Sequence, residues 1–253
     1  MLALAACLLS VHGRAQDFSL ATIEAPPAKG SDIYGGPSLS AWPRAPGAAR
    51  DTTYALPMVE AFGQSGWFAS TVAGLGWNFS RDAHWQYGLR LTPQFPRLAR
   101  DTFAPALVTD IGLRVERGAF LNYCPREWIS LQSGFRQGAG QRGQGLLLDT
   151  GILLGAPLAS HLTLAVSASS SWANRDYVNS YFGVAAAPGQ APYAGTAGRL
   201  DLDTDLLLLA DLSARWSLTL DFGRVRYLGS ARNSPLVESA QPHTWFAGAE
   251  YHF

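Results

Sequence analysis

The last ten residues constrain this chain more than any other stretch. Trp245, Ala247, Ala249, Tyr251 and Phe253 fall on one face of a strand, and Thr244, Gly248, Glu250 and His252 fall on the other, with Phe246 the exception. A two-residue period with an apolar, aromatic-tipped face is what a lipid-facing barrel strand needs. A strand ending in a terminal Phe is also the usual last strand of an outer-membrane barrel. The bland alternative, the edge strand of a soluble sandwich, is already disfavoured on this segment alone, and the rest of the chain weighs further against it.

Composition favours the membrane reading. Charged residues make up 15% of the 253, against roughly 25% in an average soluble domain. Lys29 is the single lysine, and 19 basic residues balance 19 acidic ones. No basic field points to nucleic acid. Residues 2–11 form an apolar export segment, and Gly13-Arg14-Ala15 offers small residues to a signal peptidase. We expect residues 1–15 to be a cleaved signal peptide, 16–30 an N-terminal segment with a first strand at about 18–25, and 31–253 the barrel. After residue 16 no apolar run reaches the roughly 20 residues of a membrane helix.

Period-two alternation continues along the chain. It predicts further strands at about 31–42, 53–62, 67–79, 85–95, 111–123, 128–136, 146–156, 162–172, 200–212 and 216–228. Arg117 interrupts one apolar face, as at a bulge or membrane edge, and the pattern slips near Gly223, as a bulge would cause. Many of these segments reach or exceed the roughly 9–11 residues that cross a bilayer at a tilt. Connections alternate between short (80–84, 124–127, 157–161, 213–215) and long (97–110, 137–145, 173–199, 229–243). That asymmetry fits tight periplasmic turns and longer outer loops. The expected fold is all-β, a transmembrane antiparallel β-barrel of about twelve strands, with ten to fourteen compatible with the pattern.

Several ordered blocks resemble the MipA/OmpV family of Gram-negative outer-membrane proteins. The main one is Asn179-Ser-Tyr-Phe-Gly-Val184, carrying Tyr181, Phe182, Gly183 and Val184, followed by Tyr193 and Gly198. Arg215-Trp-Ser-Leu-Thr219, Tyr227-Leu-Gly229 and the loop with Ser234 and Pro235 come next, and Gly74-Leu-Gly-Trp-Asn-Phe79 is similar to an early family strand. The resemblance implies an outer-membrane location and a non-enzymatic scaffold holding a lytic transglycosylase near a murein synthase. It also implies contact with outer-membrane lipid and lipopolysaccharide, and with the barrel-assembly machinery through the strand carrying Trp245, Tyr251 and Phe253. It brings no catalytic residue, metal or cofactor.

The residues themselves leave other readings open. Asp201, Asp203 and Asp205 share one face with Asp211, and Asp149, Asp221, Arg90, Arg114 and Arg136 are expected on polar faces of other strands. Such charges either bias ion passage through a wet lumen or pair across it and close it, since unpaired charges in a narrow space are costly. Pairing is the favoured reading. A narrow diffusion channel is the alternative function, and a lipid-modifying enzyme built on His243, Ser234, Ser239 and Glu238 is a third. Calcium at Asp201 and Asp203 is a minor option. Gly138–Gly145 reads as a mobile loop rather than a phosphate cradle. Arg175, Arg199, Arg224, Arg226 and Arg232 of the outer loops either meet lipopolysaccharide phosphates or are simply solvated. In detergent, the purified chain is expected to give a β-sheet dichroism spectrum and to migrate faster unboiled than boiled; a helical spectrum with unchanged migration would exclude the barrel.

Overall fold

The alternation builds a single antiparallel sheet that closes on itself. The computed structural model describes residues 23, 25–189 and 191–253. In chain order the strands are β1 (Ser31–Pro43), β2 (Asp51–Gly63), β3 (Trp67–Ser70), β4 (Gly74–Asn78), β5 (Trp85–Gln94), β6 (Arg114–Arg126), β7 (Ile129–Ala139), β8 (Gly145–Ala159), β9 (Leu162–Ala173), β10 (Gly198–Arg199), β11 (Asp201–Asp211), β12 (Trp216–Tyr227) and β13 (His243–His252). β10 and β11 both pair with β9 and form one wall strand interrupted at Leu200, so the wall has twelve strands. Closure comes from β13 pairing with β1, Ser40 opposite Phe246 and Tyr34 opposite His252.

Side chains sort by parity. On β5, Gln86, Gly88, Arg90, Thr92 and Gln94 are buried in the lumen, while Trp85, Tyr87, Leu89 and Leu91 are exposed on the outside. Leu121, Leu131, Phe135, Leu148, Val166, Leu206 and Phe222 continue this outer apolar belt around the wall. Aromatic rings gather where the short turns lie. Trp85 stacks on Tyr123 at 4.3 Å, and Tyr251 meets Trp216 at 5.3 Å and Phe253 at 5.0 Å, with the Arg215 guanidinium donating to the Tyr251 hydroxyl at 2.7 Å. Amphipathic rings at the edge of an apolar band are the girdle of a membrane barrel.

Four expectations need correction. The strand expected over 67–79 is a hairpin: β3 and β4 pair with each other, Trp67 opposite Trp77 and Ala69 opposite Leu75. Its tip is held by Ser70, whose Oγ accepts from the backbone N–H groups of Val72 and Ala73 and donates to Glu60 at 2.7 Å. The strand expected at 18–25 falls mostly outside the described residues; Ile23 and Ala25 are not in a strand, and Ile23 is fully buried. The β11–β12 register runs unbroken through Gly223, so no bulge lies there. The long connection after β9 contains a helix, α1 (Arg175–Phe182), where only a loop was expected. A second, four-residue helix, α2 (Gly229–Arg232), follows β12.

Two glycines let the wall pass bulky neighbours. A Cβ on Gly88 would lie 1.9 Å from the Trp77 carbonyl oxygen and 2.9 Å from the Phe120 ring, which covers it from the next strand. One on Gly76 would meet the Phe68 ring at 2.4 Å. Overpacking of this kind costs about 1–3 kcal/mol. Gly88→Val is therefore expected to lower the urea midpoint of the compact, fast-migrating form by an amount equivalent to about 1–3 kcal/mol, whereas an outward Leu89→Val should leave it nearly unchanged.

Candidate functional site

The lumen is the site to which the buried charges converge. β6, β7 and β8 turn Glu116, Arg136 and Asp149 inward, and Gly118 and Gly134 directly opposite Arg136 and Asp149 leave room for them. Arg136 donates from Nη1 to Glu116 at 2.6 Å and from Nε to Asp149 at 2.8 Å. All three side chains are essentially inaccessible. One guanidinium thus holds two carboxylates along adjacent strands, rather than across the lumen.

The acidic row lies on the neighbouring wall. Asp201, Asp203 and Asp205 of β11 are buried, as are Asp221 of β12 and Glu250 of β13. The Asp205 carboxylate accepts from the Ser167 hydroxyl at 2.6 Å, and that of Asp201 accepts from the Ser171 backbone N–H at 2.9 Å. Serines of β9 therefore solvate the ladder from the side. Arg90 is buried on β5. Arg114 departs from expectation: it is exposed at the long-loop rim, where Nη2 donates to the Gln141 carbonyl at 2.8 Å. The first residue of a strand lies at the mouth whatever its parity. Asp211, at the other end of its strand, is likewise exposed.

The opposite side of the lumen is apolar. Met58, Phe62, Phe68, Phe120 and Phe246 pack with Val72 and Ala73 of the hairpin tip and with Ile23, which reaches in from the segment before β1. Phe246, the exception to the terminal alternation, is explained by this cluster: its parity is inward, and inward here is apolar. Glu60, Glu116 and Glu250 are buried lumen acids that the site expectation omitted. Their inward parity was the available signal.

Long loops cap one mouth. Asn174 accepts from the backbone N–H of Tyr177 at 2.9 Å and of Leu146 at 3.1 Å, so it both starts α1 and ties it to the β8 entry. Tyr177, Val178, Tyr181 and Phe182 pack on Ile111, Leu147, Leu200, Tyr227 and Ala231. The family-motif residues belong to this cap. The Ser234 hydroxyl donates to the Phe182 carbonyl at 2.6 Å, Val184 pairs with Tyr193, and Gly183 closes the helix. Gly198 opens β10 with φ +152°, and Pro235 is exposed in the loop. Buried Arg97 points a guanidinium N–H at the Tyr181 carbonyl, 3.5 Å away; burial pulls its pKa below the ordinary value, with Tyr181 and Asp110 acting in the opposite direction. The glycine-rich 138–145 segment packs against α1, the Gly140 N–H lying 3.4 Å from the Tyr181 hydroxyl.

The remaining candidates do not assemble. Ser234 is committed to Phe182, Glu238 lies 3.4 Å from the Ala49 N–H, and His243 is exposed. Among the described residues, no group of three or more His, Cys, Asp or Glu is arranged to hold a metal. Arg175, Arg199, Arg224, Arg226 and Arg232 are all exposed near the long-loop rim, Arg199 lying over the Trp172 ring at 5.8 Å. Trp245 faces outward near that rim, whereas Tyr251 and Phe253 join the girdle at the other.

A family model described as MltA-interacting protein MipA matches residues 36–253. No curated protein matches the chain. Similar solved structures include the outer membrane channel DcaP of Acinetobacter baumannii, with 7% identity, 92% of this chain and 100% of that one covered, and a TM-score of 0.43. They also include the KdgM porin in complex with disordered oligogalacturonate (11% identity, 88% and 99% covered, TM-score 0.41). A third is an outer membrane channel from Pseudomonas putida F1 (12% identity, 94% and 98% covered, TM-score 0.39).

Removing one partner of a buried ion pair leaves an uncompensated charge and costs about 3–5 kcal/mol. Arg136→Met should therefore destabilise the barrel by about that amount, read as the unfolding midpoint in detergent and urea. Adding Glu116→Gln and Asp149→Asn to the same variant should restore most of the loss.

Proposed function

The chain belongs to the MipA family, and from that premise we propose that it is a non-enzymatic scaffold in the outer membrane, docking murein-processing enzymes at its short-turn rim. The observation that carries this reading is the filled lumen. A charge lock of Glu116, Arg136 and Asp149, an apolar cluster around Ile23, and the α1 cap over the mouth leave a rigid cylinder poorly suited to passage. A rigid cylinder with tight turns at one end offers a fixed platform. The turns there expose Arg81, Asp82, Arg126, Glu127 and Arg215, a mixed-charge surface of the kind that sets partner choice and association rate. In this reading that rim faces the periplasm, and the partner class is the one the family resemblance implies: a lytic transglycosylase, together with a murein synthase.

The opposite rim meets the lipopolysaccharide leaflet. Arg199, Arg224 and Arg226 project from adjacent wall strands at the top of the apolar belt, and guanidinium forks suit phosphate oxygens. The C-terminal strand with Phe253 is the segment presented to the barrel-assembly machinery.

Pull-down from envelope extract with the full chain should retain a lytic transglycosylase above a control barrel, and charge reversal at Arg81, Arg126 and Arg215 should abolish the retention. Retention no better than the control would count against the scaffold. In planar bilayers the wild type should give no discrete conductance steps; steps whose selectivity shifts with Asp203→Asn and Asp205→Asn would instead establish a diffusion channel.

A further inference from the structure

The wall is not of even height. β3 has four residues and β4 five, between neighbours of 13 and ten. At about 3.4 Å per residue and a tilt near 40°, four residues climb only about 10 Å of an apolar band roughly 25 Å tall. The hairpin stands on the short-turn rim, so the shortfall lies in the half of the band nearer the long loops. There β2 pairs with β3 only over Glu60–Phe62, and β5 pairs with β4 only as far as Leu91. Among the described residues, no strand pairs with the facing edges of β2 at Tyr54–Met58 and β5 at Thr92–Gln94. The hairpin tip is locked rather than frayed. Thr71 bonds Val59 through backbone and side chain, and a Cβ on Gly74 would lie 2.2 Å from the Leu91 carbonyl oxygen.

A cavity of about 610 Å³ fills the gap, within the roughly 300–1,000 Å³ of small-ligand sites. It joins outward-facing Leu75, Leu91 and Val115 to inward-facing Trp42, Met58 and Phe246. The hydroxyls of Ser38, Ser40, Thr71 and Thr92 also line it. Its floor is closed by the apolar cluster around Ile23. Trp42, stacked on Tyr54 at 4.5 Å and 6.0 Å from Phe95, frames its upper end. Leu75 and Leu91 also border an outer groove of about 640 Å³ over Gly118 and Ala119, so the apolar path is continuous from the belt to the lumen.

We propose that this gap is a lateral portal through which one acyl chain of a bilayer lipid enters the lumen. The proposal rests on the membrane-spanning reading above. Unpaired backbone groups facing pure hydrocarbon are strongly disfavoured, and these edges carry few. The Val59 and Leu91 carbonyls point to the hairpin, so by alternation Pro57 and Pro93 face the gap, and neither has an N–H to satisfy. A lipid fits because an ester oxygen can accept from the Ala55 N–H, the remaining edge donor between Tyr54 and Met58, while its chain lies on Met58, Phe246 and Leu91. The outer groove suits the second chain of the same molecule. The apolar floor makes the site a blind pocket that holds the chain.

The test is photo-crosslinking of the full chain reconstituted in bilayers of phosphatidylethanolamine carrying a diazirine on one acyl chain, with the labelled residues mapped by mass spectrometry. Labels are expected at luminal Trp42, Met58 and Phe246, as well as at belt residues Leu206 and Phe222. Leu56→Trp, which puts bulk into the gap, should lose the luminal labels and keep the belt ones. Belt labels alone in the wild type would overturn the portal, and so would luminal labels that survive Leu56→Trp. Absence of labels on the belt itself would remove the membrane-spanning reading, and the portal with it.

Discussion

A peptide group surrounded by hydrocarbon has no water to bond, so a wall in lipid must satisfy its own backbone. The pairing of β13 with β1 meets that demand around most of the circumference. It also fixes where each side chain goes, because a paired strand offers only two directions. Leu89 and Arg90 are neighbours in sequence, yet one is more than half exposed on the belt and the other buried in the lumen. What looks like a low-charge, glycine-rich composition is the result of this division: charge is confined to half of each strand, and glycine appears where a ring such as Phe120 must cross a neighbour.

The lumen then has to be filled without water-soluble compromise. The β6–β8 wall does this with one arginine between two acids, the β9–β11 wall with serine hydroxyls against aspartates, and the β13–β6 side with aromatic rings. Buried ion pairs of this sort add little net stability over apolar packing and are expensive to break. They instead penalise register slips, since moving Arg136 by one residue would place a cation on the belt and strand two carboxylates.

Much of the architecture was legible from alternation alone, because the physical cause is local: each residue's parity decides its solvent. Asp201, Asp203, Asp205, Asp221, Asp149, Arg90 and Arg136 all lie on inward faces for that reason. The β3–β4 hairpin was not legible. With a three-residue tip, Trp67, Ala69, Leu75 and Trp77 keep the same parity through the turn, so a hairpin and a single long strand write the same pattern. Helix α1 was missed because two turns give few repeats, although Tyr177, Val178, Tyr181 and Phe182 hold helical spacing. Arg114 went astray because parity carries no information past the end of the paired wall.

Ile23 carries a structural consequence. It lies inside the ring, only five residues separate it from Lys29, and β1 forms one side of the seam with β13. A side chain that enters the hoop from a segment outside the wall acts as an internal tether: it joins the approach to the seam strand to the apolar lining of Met58 and Phe246, so loosening either one exposes the other.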